Sequence, residues 1–421
     1  MTILLKNVTC YDSRSSLHLK RTDILIKEGI IQQISSQIDA SADRVISGDN
    51  LGVSVGWFDT SVQFGEPGFE DRGTIKNGLQ VAAKSGFTGI LYEPNNNPVT
   101  DTQAQVLFAL GKSANELTQM YPIGALTVEQ NGRDLSNIYE MHLAGAVAFG
   151  DYKKTPDDAN VLKLALQYTK DLNTVVICYS LDKKLAGKGF ASEGVAATKL
   201  GLKGIPALAE SVEISRNIEV LRYAGGKLHF PTISTAESVA VIRRAKAAGL
   251  AVTCSVSMNN IMMTEDDYSD FDSNKKVMPP PRSSADQAAL IDGLKDGTID
   301  CITTDHAPRT LEEKMVEFEI ALPGSIGLDY AFGCLHTKLE TELLIDKLTA
   351  GRALFGIATP QIKEGEKANL TIFETAGTVQ VGSENLYSSC KNAALLGFET
   401  KGKVVGSINN NQVVIHDTTR N

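Results

Sequence analysis

Short apolar segments alternate with longer amphipathic segments over most of this chain. Six apolar runs have the length of a strand, and the stretches between them, such as 236–246, carry apolar residues at helical spacing. Repeated strand and helix units predict a parallel sheet. Their number and total length are typical of a (β/α)8 TIM barrel, an α/β fold that we expect over residues 53–360. The six runs lie at 88–92, 144–149, 174–178, 227–230, 250–254 and 300–304.

Both ends of the chain have a different pattern, in which short strands follow one another without helices. Residues 23–31 read as two strands joined by a tight turn, and short apolar runs return after Glu364. We therefore predict that the two ends meet in one small composite β-sandwich domain, built from residues 1–52 and 361–421.

Composition narrows the classes of partner. The chain is 42% hydrophobic, which is ordinary for a globular protein. Its net charge of -9 and pI near 5.3 argue against nucleic acid or an acidic membrane as a binding partner. No run of about 20 apolar residues predicts a membrane span, and the first residues read as a strand rather than a signal peptide. The six cysteines are scattered without a CxxC pair, so we expect reduced, buried cysteines and a cytoplasmic location.

Five segments, in order along the chain, resemble motifs of dihydroorotases, which are members of the amidohydrolase superfamily. The first, WFDTSVQFGEPG, resembles the family pattern Asp-x-His-x-His-Leu/Phe-Arg-Glu-Pro-Gly. One such match is weak, whereas five in the right order are highly specific. The resemblance implies an amidohydrolase-type barrel and a role in pyrimidine biosynthesis. The segments are 57–68, 93–98, 194–210, 276–282 and 296–308.

The resemblance also locates the family's metal-ligand positions in this sequence. In dihydroorotases, zinc lowers the pKa of a bound water to about 7, and a carboxylate moves its proton during cyclic amide hydrolysis. Oxygen-bearing side chains stand at the four positions where the family has histidines, and two aspartates remain. The six positions are Ser61, Gln63, Asp151, Tyr179, Thr232 and Asp305. A one-residue shift of the alignment places Cys178 instead of Tyr179 at the third histidine.

These substitutions predict a degenerate metal site. Neutral imidazole binds zinc strongly, whereas hydroxyl and amide oxygens are poor zinc ligands. Two aspartates alone form an oxygen-only site that suits weakly held Mg²⁺ or Ca²⁺. We therefore expect no cofactor, with zinc needed only if a rearranged site is active, and we interpret Asp305 as a residual catalytic carboxylate.

The family's substrate-binding positions are altered as well. Gly65 stands at the arginine that binds the substrate carboxylate, which removes a bidentate contact. Asn95 is retained and Arg309 stands where histidine is usual, so these two are the candidate substrate-binding residues. Two further hypotheses are a Glu93–Arg309 ion pair that fills the former metal volume, and Cys178 as a nucleophile rather than a buried structural cysteine.

Three functions are consistent with these residues. The first is a non-catalytic structural or regulatory homologue, because some metal-less dihydroorotase-like chains are structural partners of aspartate carbamoyltransferase. By that analogy we expect a complex with aspartate carbamoyltransferase or another pyrimidine enzyme; separately, we expect a homodimer. The second is an active dihydroorotase, converting dihydroorotate to carbamoyl aspartate at a rearranged site. The third is a module that binds a small anion or metabolite near Asn95 and Arg309.

Overall fold

The computed structural model describes residues 1–416, and its strands form one barrel, one separate sheet and one short pair. In chain order the strands are β1 Thr2–Cys10, β2 Arg21–Lys27, β3 Ile30–Ser35, β4 Arg44–Ser47, β5 Leu51–Val55, β6 Trp57–Val62, β7 Phe87–Tyr92, β8 Gln119–Gly124, β9 Ala148–Gly150, β10 Val175–Ile177, β11 Ala191–Ser192, β12 Gly204–Ile205, β13 Leu228–Phe230, β14 Val252–Ser257, β15 Cys301–Thr303, β16 Leu370–Gln380, β17 Glu399–Asn409 and β18 Gln412–Ile415.

The barrel consists of eight parallel strands in the order β15-β14-β13-β10-β9-β8-β7-β6, so the predicted TIM-like barrel is confirmed. Most of the predicted apolar runs coincide with its strands. The run at 144–149 differs, because Ala144 ends a helix and the strand begins only at Ala148. Gly145 causes this boundary: its φ of 116° lets it cap the helix in the left-handed conformation.

Helices connect most of the barrel strands and pack around them. The predicted helix at 236–246 is confirmed as Ala236–Ala247, whose first turn is capped by the Thr235 side chain. The helices are α1 Ile75–Lys84, α2 Gln103–Ser113, α3 Ile138–Ala144, α4 Ala159–Asp171, α5 Lys183–Ala186, α6 Val195–Leu200, α7 Leu208–Ala224, α8 Ala236–Ala247, α9 Met258–Met262, α10 Ser284–Lys295, α11 Leu311–Lys314, α12 Ala331–Leu335, α13 Thr341–Thr349 and α14 Gly351–Leu354.

The second sheet unites the two ends of the chain, as predicted. Its eight strands run in the order β18-β17-β16-β5-β1-β2-β3, with β4 beside β1. Strand β5 pairs with β1 in parallel and with β16 antiparallel, so it continues this sheet to Val55, beyond the predicted boundary at residue 52. The last five residues of the predicted 361–421 segment lie outside the described residues.

Trp57 joins this sheet to the barrel. Its side chain is fully buried, and its ring lies 5.1 Å from that of Phe332 and 5.8 Å from that of Phe373, measured between centroids. Its indole N–H donates to Ser54 Oγ at 3.0 Å, so the polar atom is satisfied although the ring is buried. The first residue of the first barrel strand is therefore anchored to the neighbouring sheet.

The barrel closes where the first and last strands meet, and Asp59 bonds across this seam. Its carboxylate accepts hydrogen bonds from the Thr303 hydroxyl at 2.5 Å, from the backbone N–H of Thr304 at 3.1 Å and from the Thr304 hydroxyl. The N–H of Ser61 donates to the same carboxylate at 3.1 Å. Full burial raises the pKa of Asp59 to about 6, although these donors oppose the shift. Asp59 thus links β6 to the residues that follow β15.

The cysteines of the described chain are reduced, and its helices are short or polar. All six cysteines lie in the described part of the chain, and all are buried and free, as predicted. Among the helices of residues 1–416, none is both long and apolar enough to cross a membrane.

Replacing Asp59 by alanine is expected to destabilise the barrel seam. The change leaves two backbone N–H groups and two hydroxyls without their acceptor, and each buried unsatisfied group costs about 1–3 kcal/mol. We expect Asp59→Ala to lower the free energy of unfolding by about 3–5 kcal/mol in urea titrations followed by circular dichroism. Asp59→Asn is the matched control, since it keeps the shape and one acceptor oxygen. Equal stability of Asp59→Ala and the wild type would contradict this role.

Candidate functional site at the barrel mouth

The carboxyl ends of the barrel strands form the mouth, where the sequence places its candidate site residues. The structure brings together Ser61 and Gln63 after β6, Glu93 and Asn95 after β7, and Asp305 and Arg309 after β15. Two residues that the sequence analysis did not select, Tyr152 and Lys153, extend into the same cluster from the segment after β9. We call these eight residues the mouth cluster.

Ser61 and Glu93 form one half of the mouth cluster. The Ser61 hydroxyl donates to Glu93 Oε1 at 2.8 Å, and both residues are buried. Burial raises the pKa of Glu93 to about 8, the charge of Asp305 acts in the same direction, and the bond from Ser61 and the charge of Lys153 oppose it. Glu93 is therefore largely protonated at neutral pH.

Gln63 links the two candidate substrate-binding residues. Its amide Nε2 donates to the Tyr152 hydroxyl oxygen at 2.5 Å, and its Oε1 accepts from Asn95 Nδ2 at 2.9 Å and from Arg309 Nη1 at 3.4 Å. Asn95 and Arg309 thus donate to the same oxygen atom of Gln63. Their polar groups are largely bonded to the protein itself, although Asn95 Oδ1 has no partner.

Lys153 and Asp305 form the ion pair of the mouth. Lys153 Nζ donates to Asp305 Oδ2 at 2.7 Å and to the backbone carbonyl of Met278. Burial raises the pKa of Asp305, while the charge and hydrogen bond of Lys153 oppose that rise. Asp305 Oδ1 is buried without a hydrogen-bond partner.

The hypothesised Glu93–Arg309 ion pair is wrong. Arg309 donates to the backbone carbonyls of Pro308 at 2.9 Å and Pro323 at 3.0 Å, while Glu93 is bonded to Ser61. Two carbonyl oxygens reach the guanidinium because Arg309 lies within the loop that they form. The pair that forms at the mouth uses Lys153 and Asp305 instead.

Asp151 lies outside the mouth cluster. Its two carboxylate oxygens accept from the Thr127 backbone N–H at 3.0 Å and from the Thr127 hydroxyl at 2.6 Å. These bonds tie the segment after β9 to the segment after β8, which is a structural role. The next residue, Tyr152, has a φ of 54°. The residues that reach the mouth from this segment are accordingly Tyr152 and Lys153.

The third and fourth histidine positions hold buried side chains. Tyr179 is 3% exposed, and burial followed by the charges of Glu210 and Asp305 raises the pKa of its phenol. Thr232 is 2% exposed, and its hydroxyl has no partner. Cys178, the alternative at the Tyr179 position, accepts a hydrogen bond from Asn217 Nδ2 at 3.2 Å.

Cys178 lacks the surroundings of a nucleophile. Burial raises the pKa of its thiol, and the nearby Glu213 carboxylate raises it further. A nucleophilic cysteine needs a lowered thiol pKa and an accessible sulfur, whereas Cys178 is 2% exposed. The structural interpretation of this cysteine is therefore the better supported one.

Two histidines lie close to the candidate positions, His229 three residues before Thr232 and His306 directly after Asp305, and both are buried. His229 forms hydrogen bonds through both ring nitrogens, to Thr253 Oγ1 at 2.9 Å and to Ser255 Oγ at 3.3 Å. His306 Nδ1 accepts the backbone N–H of Gly327 at 3.1 Å. Burial lowers the pKa of His229 to about 3 and that of His306 to about 4, so both are neutral. Within residues 1–416, no group of three or more His, Cys, Asp and Glu side chains is arranged to hold a metal ion.

Gly65 is required by the loop that follows β6. Its φ is 115°, and a Cβ atom at this position would lie 2.3 Å from the carbonyl oxygen of Phe69. No L-residue fits this conformation without movement of the backbone. An arginine could therefore not stand at this position while the loop keeps its shape.

Three mouth residues other than glycine have a left-handed backbone. Their φ angles are 49° for Thr232, 51° for Asp305 and 54° for Tyr152. Such angles are uncommon outside glycine, strained for a β-branched residue such as threonine, and concentrated at functional sites. Ten other non-glycine residues of the described chain also have a positive φ, among them Leu19 and Phe271, so these angles do not by themselves distinguish the mouth.

Comparison with known proteins identifies relatives of this chain. Residues 52–238 match the family model described as Dihydro-orotase-like. The protein named Dihydroorotase in Pelotomaculum thermopropionicum is 36% identical over 424 residues, which cover 99% of this chain and 99% of that protein. The one from Caldicellulosiruptor saccharolyticus is 37% identical and covers 100% of both chains.

Solved structures agree in fold. The L-hydantoinase (dihydropyrimidinase) from Arthrobacter aurescens superposes with a TM-score of 0.86 at 23% identity, over 98% of this chain and 96% of that one. A D-hydantoinase (dihydropyrimidinase) from Thermus sp. gives a TM-score of 0.81 at 18% identity, over 99% and 95% of the two chains. These structures share the amidohydrolase fold, and the sequence relatives extend the likeness over the full length. The chain therefore belongs to the dihydroorotase-like family.

Proposed function

We propose that this chain is a dihydroorotase-like protein of pyrimidine biosynthesis that lacks zinc-dependent hydrolysis and acts as a structural or regulatory homologue. The observation that carries the proposal is the set of contacts in the mouth cluster. Ser61 is bonded to Glu93, Gln63 to Tyr152 and Asn95, and the carboxylate of Asp305 to the ammonium of Lys153. The positions aligned with the family's ligands are satisfied largely by the protein itself.

The donor chemistry at the mouth does not fit zinc. Catalytic zinc sites use three protein ligands, commonly imidazole with a carboxylate or thiolate, and keep one position open. Here the aligned positions supply hydroxyl, phenol and amide oxygens, and His229 and His306 use ring nitrogens in hydrogen bonds to neighbouring residues. Asp305 is already neutralised by a cation. Loss of metal binding would account for all these contacts together.

A second candidate is an active cyclic amidohydrolase, hydrolysing dihydroorotate to carbamoyl aspartate at a rearranged site. One observation favours it: Asp305 Oδ1 is buried without a partner and could accept a proton. The name Dihydroorotase carried by relatives at 36% and 37% identity is equally consistent with it. In this alternative, zinc would return as the cofactor.

The first experiment decides between these two functions. We expect the purified full-length chain, with zinc added, to hydrolyse dihydroorotate no faster than buffer and to retain no stoichiometric zinc by elemental analysis. The dihydroorotase of Pelotomaculum thermopropionicum, prepared and assayed in parallel, is the positive control. Turnover that is abolished by Asp305→Asn would establish the active alternative and end the proposal.

We extend the proposal to an assembly. The chain is proposed to form a homodimer, or to bind aspartate carbamoyltransferase or another pyrimidine enzyme, in the cytoplasm. Light scattering of this chain alone and mixed with aspartate carbamoyltransferase from the same organism measures both assemblies.

A third candidate function is a module that binds a small anion near Asn95 and Arg309. It predicts a rise in the Tm of the chain when dihydroorotate or carbamoyl aspartate is added.

The raised pKa of Glu93 predicts a distinct dependence of stability on pH. Its value in the fold, about 8, lies above the ordinary 4.5, so its contribution to stability is present at low pH. That contribution is lost as the pH rises through 8, because the unfolded chain holds the charged carboxylate more readily. We expect the Tm of Glu93→Gln, relative to the wild type, to rise between pH 5 and pH 9.

The control for this measurement is Glu317→Gln, which removes an exposed carboxylate. Its Tm difference from the wild type should stay constant over the same pH range. Parallel pH profiles for Glu93→Gln and the wild type would contradict a protonated Glu93.

A further inference from the structure

Lys153 occupies a position that the family-like motifs do not mark. It follows β9 by three residues, and its side chain, which is 16% exposed, reaches the buried carboxylate of Asp305, which is 3% exposed. Its ammonium also donates to the carbonyl of Met278 and lies 5.3 Å from the centre of the Tyr152 ring. Carboxylate, carbonyl and aromatic face all favour a positive charge at this point.

Two cations, Lys153 and Arg309, lie at the mouth with the buried carboxylate of Asp305. The guanidinium of Arg309 donates to carbonyl and amide oxygens, whereas the ammonium of Lys153 lies 2.7 Å from Asp305 Oδ2. Lys153 is therefore the cation that directly pairs with Asp305. A buried carboxylate left without a cation or hydrogen-bond donors is strongly destabilising.

We propose that the ammonium group of Lys153 is an internal cation that takes the place of the family's metal ion at Asp305. This inference rests on the proposed loss of zinc binding and adds its structural compensation. A metal ion at such a mouth holds together acidic groups from different strands. Lys153 does the same from within the chain, by joining the segment after β9 to Asp305 after β15 and to Met278.

Lys153 also determines whether another cation can bind at Asp305. While Lys153 is present, a second cation at Asp305 would be repelled by the ammonium. If the side chain is shortened to alanine, the space and the unpaired charge at Asp305 form a site for a small cation. Its donors would be the oxygens of Asp305 and Met278 that Lys153 now contacts, which suit a primary ammonium ion or a hard divalent ion such as Mn²⁺.

The first test uses Lys153→Ala in the full-length chain. Breaking a buried ion pair from one side should lower the Tm by about 5–10 °C. Propylammonium chloride, which restores the removed methylenes and ammonium, should recover most of this loss, and MnCl₂ should recover part of it. Sodium chloride at equal ionic strength should recover none. The matched control is Lys154→Ala, which removes an exposed neighbouring lysine and should leave the Tm unchanged.

A double-mutant cycle keeps the test valid if Lys153→Ala fails to fold. Lys153→Met combined with Asp305→Asn removes both charges, so the double variant should be more stable than Lys153→Met alone. Additive effects of the two changes, or a wild-type Tm in Lys153→Ala, would overturn the proposal. So would a loss of Tm in Lys153→Ala that neither propylammonium nor Mn²⁺ reduces.

Calorimetric titration with Mn²⁺ separates this inference from the proposed function. We expect no binding by the wild type, binding by Lys153→Ala, and no binding by Lys153→Ala with Asp305→Asn. Mn²⁺ binding at Asp305 in the wild type would overturn the inference. Hydrolysis of dihydroorotate by the wild type would end the proposed function through a different readout, so the two failures are distinguishable.

Discussion

A carboxylate buried at the end of a barrel strand must be matched by a positive charge or by hydrogen-bond donors, and Asp305 imposes this constraint on the mouth. In this chain Lys153 supplies the charge at 2.7 Å. The remaining contacts follow from that pair. Glu93 has no cation of its own and is largely protonated, Ser61 donates to it, and Gln63 fills the space between Tyr152, Asn95 and Arg309. Most polar groups of the mouth cluster are therefore hydrogen-bonded to other groups of the protein.

The other acidic residues near the mouth have structural roles. Asp59 accepts hydrogen bonds that join the first barrel strand to the last, and Asp151 accepts hydrogen bonds from Thr127. Two retained family-like motifs behave in the same way. Glu210 accepts the backbone N–H groups of Ser234 and Thr235 at 2.9 and 3.0 Å, and a nearby arginine donates to the carbonyl of Ile205. Those motifs are explained by the scaffold alone, which is why their retention says little about catalysis.

The candidate site could be predicted from sequence only in part. Asn95, Arg309, Ser61, Gln63 and Asp305 were located through motif alignment, and the structure brings them together. Lys153 and Tyr152 were missed because no motif marks them. The neighbouring Asp151 was selected instead, since it aligns with a metal-ligand position of the family. The ion pair was predicted between Glu93 and Arg309, whereas it forms between Lys153 and Asp305. The order of residues in the sequence does not show which of several charged side chains at strand ends lie close together.

What the sequence determined by itself is the architecture: alternating apolar and amphipathic segments specify parallel strands with covering helices, and the pattern at both ends specifies a shared second sheet. It also determined which donor types stand at the mouth. How those donors are used depends on the folded chain. A hydrogen bond or ion pair forms only when its two atoms come within about 3–4 Å of each other. Folding alone brings residues as far apart in sequence as Lys153 and Asp305 to that distance. Burial, which sets the protonation of Glu93, exists only once the barrel has closed.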